Sequence, residues 1–387
     1  MKNRKKRTVS ALIAGFAFLI TGVFGAEGFS EASAPVKVIL DCDMGYMNDD
    51  ALSLSMLLEA EKRGLVEILG ITLEGGNNFI HAPYENYGET QLGSSKYTED
   101  FLSSLGRSDL PCFCGTDFPE DMGRDRILEL DAFYKGLEYS KFNNSYGAIH
   151  HFASVDTELL CDSDDAAAFL VQAVRENPDE VVIFAIGPTM NIARAVKRDP
   201  DFAPHVKAIY YMAGALGDPC RMENTRSEMA EGISGANVTP YAEYNVLYDP
   251  SAFSTCITAY FPHQYILPGS CNVSIDPSIA EQFIARSDGT GISAMWAEHY
   301  KEQIQDYPYW DPLTVFAFLC PDAVVSSSVQ YVTVNTDRLS KYCGRTDGYS
   351  QEEFEQLPPE QQSLCGRAEV IEEMEGFWDY TIDLLCS

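Results

Sequence analysis

Short apolar runs rich in β-branched residues alternate along the chain with longer stretches in which apolar residues recur at helical spacing. The short runs predict buried strands at Val36–Leu40, Val66–Leu73, Val181–Ile186 and Val206–Met212. The periodic stretches predict helices at Asp50–Arg63, Asp164–Glu176, Asn191–Lys197 and Ala252–Ala259. Strands that alternate with helices are typical of βαβ units, so we predict an α/β fold: an open, mainly parallel twisted sheet with helices on both faces.

Two segments interrupt this pattern. Residues 79–160 are rich in Gly, Ser, Asn, Tyr and acidic groups and have weak periodicity, which predicts an irregular insert laid over the sheet rather than an independent domain. Ser340–Glu372 is similarly polar, and Phe377–Leu385 then predicts an apolar closing helix. We therefore expect residues 36–387 to form a single domain.

Residues 1–26 have the layout of a signal peptide. The nearly all-basic Lys2–Arg7 precedes the almost wholly apolar run Ala11–Ala26, which is short for a membrane span. This predicts cleavage near the end of the run and a mature protein that is secreted or periplasmic without membrane contact; an uncleaved anchor is the alternative. In an exported chain some of the eleven cysteines are expected to pair, with Cys343 and Cys365 as one candidate disulfide.

The composition disfavours several classes of protein. With 45% hydrophobic and 22% charged residues, the chain of 387 residues has enough apolar material for a packed core and is not of the disordered type. It carries 27 basic against 58 acidic residues, a formal charge of −31. Such a charge repels phosphate backbones and anionic lipids, so we expect neither nucleic acid nor a membrane surface as a partner.

Four carboxylates follow the first predicted strand and precede the first predicted helix: Asp41, Asp43, Asp49 and Asp50. Open α/β sheets bind ligands at this carboxyl edge. Like charges repel unless a cation lies among them, and Ca²⁺ suits flexible carboxylate geometry better than Mg²⁺. Two alternatives remain: the adjacent acid pair simply caps the helix, or the Asp-x-Asp is the nucleophile and acid of an acid-phosphatase-type site. Gly45, where that motif normally has Thr or Val, disfavours the phosphatase.

Residues Asp41–Ala51 resemble the amino-terminal signature of the calcium-dependent, inosine-uridine-type nucleoside hydrolases, which is Asp-x-Asp-x-Gly, a spacer, and Asp-Asp-Ala. The spacer Tyr46–Asn48 is two residues longer than in the best-known members of that family. Further segments similar to the family follow in order: Val66–Asn77, Ala185–Ala193, Met212–Ala215, Asn237–Asn245 with Asp249 and Pro250, and Trp310–Leu313. Together the matches extend over essentially the whole mature chain.

The resemblance implies an N-glycosyl hydrolase of nucleoside catabolism, which cleaves purine nucleosides, pyrimidine nucleosides or both to ribose and free base. It implies that Ca²⁺ is held by Asp43, Asp50, the main-chain carbonyl of Met190 and Asp311. Asp43 would also accept a proton from the water that attacks the anomeric carbon. The residues implied to contact the ribose are Asp49, Asn77, Met212, Asn237, Glu243 and Asn245. Relatives are commonly dimers or tetramers, so a homo-oligomer is expected.

The chain departs from the family at the residue before the final metal-binding aspartate. Several relatives protonate the departing base with a histidine there, but this chain has Trp310, which can stack on a base but donates no useful proton. His81 is the best substitute acid, and His150, His151 and His299 are lesser candidates. The base preference stays open, as do two other functions on this scaffold: hydrolysis of a different N-riboside such as nicotinamide riboside, and calcium-dependent binding of a nucleoside or ribose without turnover.

Overall fold

A computed structural model describes the backbone of residues 34–76, 78–86, 89–120, 157–216, 242–302, 308–340 and 342–386. The predicted signal peptide lies outside these residues, so export stays a prediction. Within the described part of the chain, no helix combines the length and the apolar character that are needed to span a membrane.

The helices and strands predicted from periodicity are all present, with ends that agree to within about two residues. The strands are β1 (Val36–Cys42), β2 (Val66–Leu73), β3 (Tyr84–Asn86), β4 (Glu89–Gln91), β5 (Cys112–Cys114), β6 (Val181–Ala185), β7 (Ala208–Met212), β8 (Gln264–Leu267), β9 (Val273–Ser274), β10 (Pro308–Tyr309), β11 (Val324–Val334), β12 (Thr346–Tyr349) and β13 (Gly366–Met374). The helices are α1 (Asp49–Lys62), α2 (Ser94–Ser104), α3 (Asp165–Glu176), α4 (Met190–Arg198), α5 (Tyr244–Tyr248), α6 (Pro250–Thr258), α7 (Pro277–Arg286), α8 (Gly291–Glu302), α9 (Pro312–Leu319), α10 (Gln351–Gln356), α11 (Pro359–Gln362) and α12 (Phe377–Leu385).

Nine of the described strands form one sheet, in the order β12–β11–β13–β8–β7–β6–β1–β2–β5. All neighbours from β13 to β5 are parallel, whereas β11 runs antiparallel to both β13 and β12. Two small antiparallel pairs, β3 with β4 and β9 with β10, lie outside this sheet. The predicted α/β fold with a mainly parallel sheet is confirmed.

Two apolar cores cover the two faces of the sheet. In β1 the side chains of Val38 and Leu40 enter one core and that of Ile39 enters the other, because successive side chains of a strand point to opposite faces. Helices α1, α9 and α12 build the first core, and α3, α4 and α6 build the second. Helix α1 is buried over most of its length because α9 and α12 both pack against it. This enclosure fixes its first turn, where two acids lie.

Two segments are more regular than predicted. In the described part of residues 79–160, α2 is an eleven-residue helix and β5 extends the central sheet by pairing with β2. A three-residue strand is too short to show a period, which is why the sequence pattern missed it. In the polar tail, β13 is a central strand between β11 and β8, and several of its residues are exposed, which accounts for its charged composition.

The predicted disulfide between Cys343 and Cys365 is wrong. Cys365 is a free thiol, and its Sγ donates a hydrogen bond to the carbonyl oxygen of Gln361 at 3.3 Å.

Candidate active site

The carboxyl ends of β1, β2, β6 and β7 lie side by side at one edge of the sheet, because these four strands are parallel neighbours. The loop Asp43–Asn48 leads from β1 into α1, the loop after β2 starts at Glu74, and Ile186–Thr189 leads from β6 into α4. Three loops therefore meet at the edge where open α/β sheets bind ligands.

Three aspartates converge at this edge. Asp49 and Asp50 begin α1, and Asp311 immediately precedes α9, which packs against α1. One carboxylate oxygen from each aspartate lies within 4.8 Å of the others, and all three residues are buried. The packing of α9 on α1 thus unites acids from opposite ends of the chain.

Neighbouring groups hold two of these carboxylates. Asn48 caps α1: its Oδ1 accepts a hydrogen bond from the backbone N–H of Ala51 at 3.3 Å, and its Nδ2 donates to Asp50 Oδ2 at 2.7 Å. The backbone N–H of Trp310 donates to Asp49 Oδ2 at 3.3 Å. The helix-capping alternative is therefore wrong for the acid pair, since the cap is Asn48 and both aspartates follow it.

Burial makes this cluster resist ionisation. It raises the pKa of Asp50 and of Asp311 well above the ordinary value, and the nearby carboxylates, Asp43 among them, raise both further. Burial also raises the pKa of Asp49 to about 6, although backbone N–H groups, first that of Trp310, oppose the shift. In the ranges that the structure describes, no ion pair with Lys, Arg or His involves Asp49, Asp50 or Asp311.

These donors fit a hard divalent cation. They are all oxygen atoms, and Asp50 Oδ1 is buried without a hydrogen-bond partner among the described residues. An unpaired buried carboxylate oxygen is costly, and a cation would compensate it. The cluster can therefore bind a metal ion.

Asp43 lies beside the cluster, since its charge contributes to the raised pKa of both Asp50 and Asp311. A Cβ on Gly76 would come within 2.0 Å of Asp43 Oδ2, so only glycine lets the loop after β2 pack directly on this carboxylate. Asn78 Nδ2 donates to the backbone carbonyl of Asp43 at 2.9 Å. The loop after β2 thus helps to fix the residue that the resemblance makes the base.

A second pair of acids, Asp41 and Glu74, is fully buried beneath the first cluster. Asp41 Oδ1 accepts hydrogen bonds from Thr72 Oγ1 at 2.6 Å and from Asn191 Nδ2 at 2.9 Å. Glu74 accepts the backbone N–H groups of Thr189 at 2.7 Å and of Asn191 at 3.1 Å. Burial raises the pKa of Asp41 to about 6 and that of Glu74 well above its ordinary value, where the charge of Asp41 adds to the effect. The sequence pattern missed Glu74, although an acid directly after a mostly buried strand was a usable signal.

The metal contact that the resemblance implies for Met190 stays a prediction. Met190 is the first residue of α4, which begins directly after the turn that follows β6. The carbonyl that follows the end of β6 is that of Ile186, and it accepts a hydrogen bond from Asn245 Nδ2 at 3.0 Å.

Two residues that the resemblance implies to contact the sugar form hydrogen bonds within the protein. Glu243 caps α5 by accepting the N–H groups of Asn245 and Val246, and it also accepts that of Gly214 at 3.1 Å. Asn245 Nδ2 donates to the carbonyls of both Ile186 and Met212, which ties the ends of β6 and β7 together. The contacts of Met212, Glu243 and Asn245 with ribose stay predictions, and Asn77 and Asn237 lie outside the described residues.

The residues that could protonate the departing base differ in burial and in position. His299 lies on α8 against the Trp296 ring, and burial lowers its pKa to about 4, so the imidazole is neutral at neutral pH and a poor proton donor. His81 is exposed, with Nδ1 3.0 Å from Ser95 Oγ, and its role stays a prediction. His150 and His151 lie outside the described residues. Trp310 is half-buried, and its indole N–H donates to the carbonyl of Gly269 at 2.9 Å, which fixes the ring next to Asp311.

Comparisons with known proteins agree with this arrangement. "Probable uridine nucleosidase 1" of Oryza sativa subsp. japonica is 29% identical over 223 residues, which are 58% of this chain and 55% of the rice protein. "Pyrimidine-specific ribonucleoside hydrolase RihB" of Escherichia coli (strain SE11) is 23% identical over 80% of this chain and 86% of its own length. The solved structure of a purine-preferring ribonucleoside hydrolase from Gardnerella vaginalis superposes with a TM-score of 0.61 at 17% identity, covering 90% of this chain and 98% of the other, which shows the shared fold.

The profile of the family described as inosine-uridine preferring nucleoside hydrolase matches residues 38–363. This match runs from β1 through α11 and so includes both parts of the aspartate cluster. The chain belongs to the inosine-uridine preferring nucleoside hydrolase family.

Proposed function

We propose that this protein is an exported, calcium-dependent ribonucleoside hydrolase that cleaves the N-glycosidic bond of a nucleoside to ribose and free base. The observation that carries the proposal is the buried cluster of Asp49, Asp50 and Asp311, with Asp43 beside it, in a chain of the nucleoside hydrolase family. Asp49, Asp50 and Asp311 form no ion pair with a basic residue in the described ranges, and such buried acids are a poor device for stability alone, because each ionised carboxylate is costly to bury.

Asp43, Asp50 and Asp311 would hold the ion, together with a main-chain carbonyl from the turn after β6. The resemblance implies that this carbonyl is that of Met190, the first residue of α4. Oxygen-only donors suit Ca²⁺, which takes six to eight oxygen ligands. When bound, the ion supplies a lowered pKa and a fixed orientation for the attacking water.

The side chains of this protein have separate tasks in the reaction. Asp43 accepts the proton of the water that attacks the anomeric carbon. The surrounding carboxylates stabilise the positive charge that develops on the sugar in an oxocarbenium-like transition state. Asp49, Glu243 and Asn245 bind ribose hydroxyls, so a deoxyribose would leave buried polar groups unpaired and should be a poor substrate.

Trp310 would form one wall of the base site. Its ring is fixed by the bond to Gly269 and lies beside Asp311, the residue next to it in the chain. An aromatic face stacks on purines and pyrimidines alike. The printed names of the relatives include both pyrimidine-specific and purine-preferring enzymes, so the preference of this protein is a matter for assay.

Release of ribose from inosine, uridine and nicotinamide riboside, with Ca²⁺ or with EDTA, tests the proposal. We expect release that EDTA abolishes and Ca²⁺ restores, and Asp43→Asn should abolish it. Asp117→Asn is the matched control, because Asp117 is equally buried but its carboxylate accepts the backbone N–H groups of Ile80 and Cys161. Unchanged release by Asp43→Asn would overturn the assignment of the base.

The same assay separates the remaining alternatives. Release from nicotinamide riboside alone would indicate a hydrolase of a different N-riboside. Calcium-dependent binding of inosine or uridine in calorimetry, without release of ribose, would indicate a binding protein on this scaffold.

Export and assembly form a separate part of the proposal. Amino-terminal sequencing of the protein recovered outside the cytoplasm should find cleavage near Ala26. Retention of Met1 would indicate an uncleaved anchor, and recovery of the protein only from the cytoplasm would contradict export. We propose a dimer or tetramer, which light scattering distinguishes from a monomer by mass.

A further inference from the structure

Glu74 is a buried acid that joins three loops of the site. It directly follows β2 and is fully buried. Its backbone N–H donates to the carbonyl of Cys42 at the end of β1, and its carboxylate accepts the N–H groups of Thr189 and Asn191 at the start of α4. One residue thus connects the ends of β1 and β2 to the turn that follows β6.

The turn after β6 is shaped around this carboxylate. A Cβ on Gly187 would lie 2.7 Å from Glu74 Oε1, so the backbone approaches the acid closely. Thr189 has a left-handed φ of 66°, a conformation that costs a non-glycine residue on the order of 1 kcal/mol. Two hydrogen bonds from N–H groups at a helix start to one buried acid hold this turn.

The same acid abuts the loop that carries the metal-binding acids. Asn191 donates its backbone N–H to Glu74 and its side-chain Nδ2 to Asp41, so Glu74 and Asp41 share one partner. Asp41 lies two residues before Asp43, whose charge reaches Glu74. Any shift of Glu74 therefore moves the β6–α4 turn relative to the acid loop.

We propose that Glu74 is a positioning residue, which sets the distance between the acid loop after β1 and the carbonyl-bearing turn after β6 and thereby sets the affinity for the metal ion. The inference rests on the proposed function, since it concerns the same site. Groups that orient metal ligands from outside the coordination shell typically change metal affinity by about 10- to 100-fold when removed.

Calcium titration by calorimetry tests this, with Glu74→Gln as the main variant and Glu74→Ala as the stronger one. An amide oxygen can accept one N–H group while its NH₂ faces the other, so we expect Glu74→Gln to bind Ca²⁺ about 10-fold more weakly. Glu74→Ala should bind it more weakly still. Excess Ca²⁺ should restore ribose release by Glu74→Gln to near the wild-type rate, because Glu74 touches no substrate.

Asp117→Asn is again the matched control, since it also removes a buried carboxylate that accepts two backbone N–H groups. It should lower the unfolding temperature and leave the calcium affinity unchanged. If the wild type and folded Glu74→Gln bind Ca²⁺ with equal affinity, the role of Glu74 is overturned but the proposed function is not. The same holds if Asp117→Asn loses as much calcium affinity as Glu74→Gln. If the wild type binds no Ca²⁺, the proposed metal dependence fails instead.

Discussion

The side chain of Asn48 both caps α1 and holds one acid of the cluster, through Ala51 N–H and Asp50 Oδ2. We expect Asn48→Ala to weaken Ca²⁺ binding about 10-fold and to lower the free energy of unfolding by about 1 kcal/mol. Calorimetry and urea unfolding measure the two effects. Ser350→Ala, which removes the capping box of α10, should lower stability without changing calcium affinity. Full calcium affinity in Asn48→Ala would show that the bond to Asp50 has no role in the site.

Trp310 occupies the position at which several relatives have a histidine, and its proposed role is to stack on the base. Loss of its ring should cost about 1–3 kcal/mol of base stacking, which corresponds to a rise in KM of roughly 5- to 150-fold. We therefore expect Trp310→Leu to raise KM for inosine and uridine far more than it lowers kcat. Trp310→Phe keeps an aromatic face and should retain most of the affinity. Similar KM values in both variants would mean that the ring does not stack on the base.

Single residues of the site were predictable from sequence only where a motif carries them. Asp50 and Asp311 stand in segments that resemble the family, and the structure places them together. Asn48 and Glu74 were missed because their roles depend on hydrogen bonds that a linear pattern does not encode. The metal contact of the Met190 carbonyl, which only the resemblance implies, stays a prediction.

Among the helices and strands, predictability follows length and burial. Strand β2 and helix α12 have the predicted bounds because apolar residues predominate in both of them. Strand β5 was missed because it is short and lies at the edge of the sheet, and β13 because exposed residues interrupt its apolar side. Two elements position the aspartate cluster, and both are enclosed in the core. The sequence pattern predicted α1 but missed α9, because a short, almost uniformly apolar run shows no helical period.

The close contact between strand β13 and helix α6 can be tested by substitution. A Cβ on Gly366, the first residue of β13, would lie 1.7 Å from the backbone carbonyl oxygen of Ile257 in α6. The backbone of a packed helix cannot shift without a cost in stability. Gly366→Ala should therefore lower the free energy of unfolding by about 1–3 kcal/mol, while calcium affinity stays unchanged. Gly64→Ala is the control, because Gly64 has a φ of 72° but open space around it, and it should lose only about 1 kcal/mol. Urea unfolding that finds the smaller loss at Gly366 would contradict the expected clash.

At the scale of the whole molecule, two apolar cores support an edge that carries several buried acids. These acids are Asp41, Asp43, Asp49, Asp50, Glu74 and Asp311. In the metal-free protein their burial opposes folding whenever they ionise, so the site reduces the stability that the cores provide. A metal ion that binds only the folded chain reverses this by mass action. Calcium should therefore govern the stability of the entire molecule as well as its activity.

The dependence of this stability on pH has a definite sign. Burial raises the pKa of Asp41 and of Asp49 from 3.8 to about 6. A group whose folded-state pKa is raised contributes stability that is fully present below the unfolded pKa and is lost as the pH rises through the folded one. Without metal, the unfolding temperature should therefore fall between about pH 4 and about pH 6, and the increase produced by Ca²⁺ should be larger at about pH 7.5 than at about pH 5. Thermal unfolding with Ca²⁺ or EDTA across this range measures both effects. The unfolding temperature of metal-free Asp50→Asn should fall less as the pH rises, because this variant lacks one buried acid whose pKa is raised. A calcium-induced increase that is the same at both ends of the range would mean that protons do not compete with the ion, and that the aspartate cluster is not where it binds.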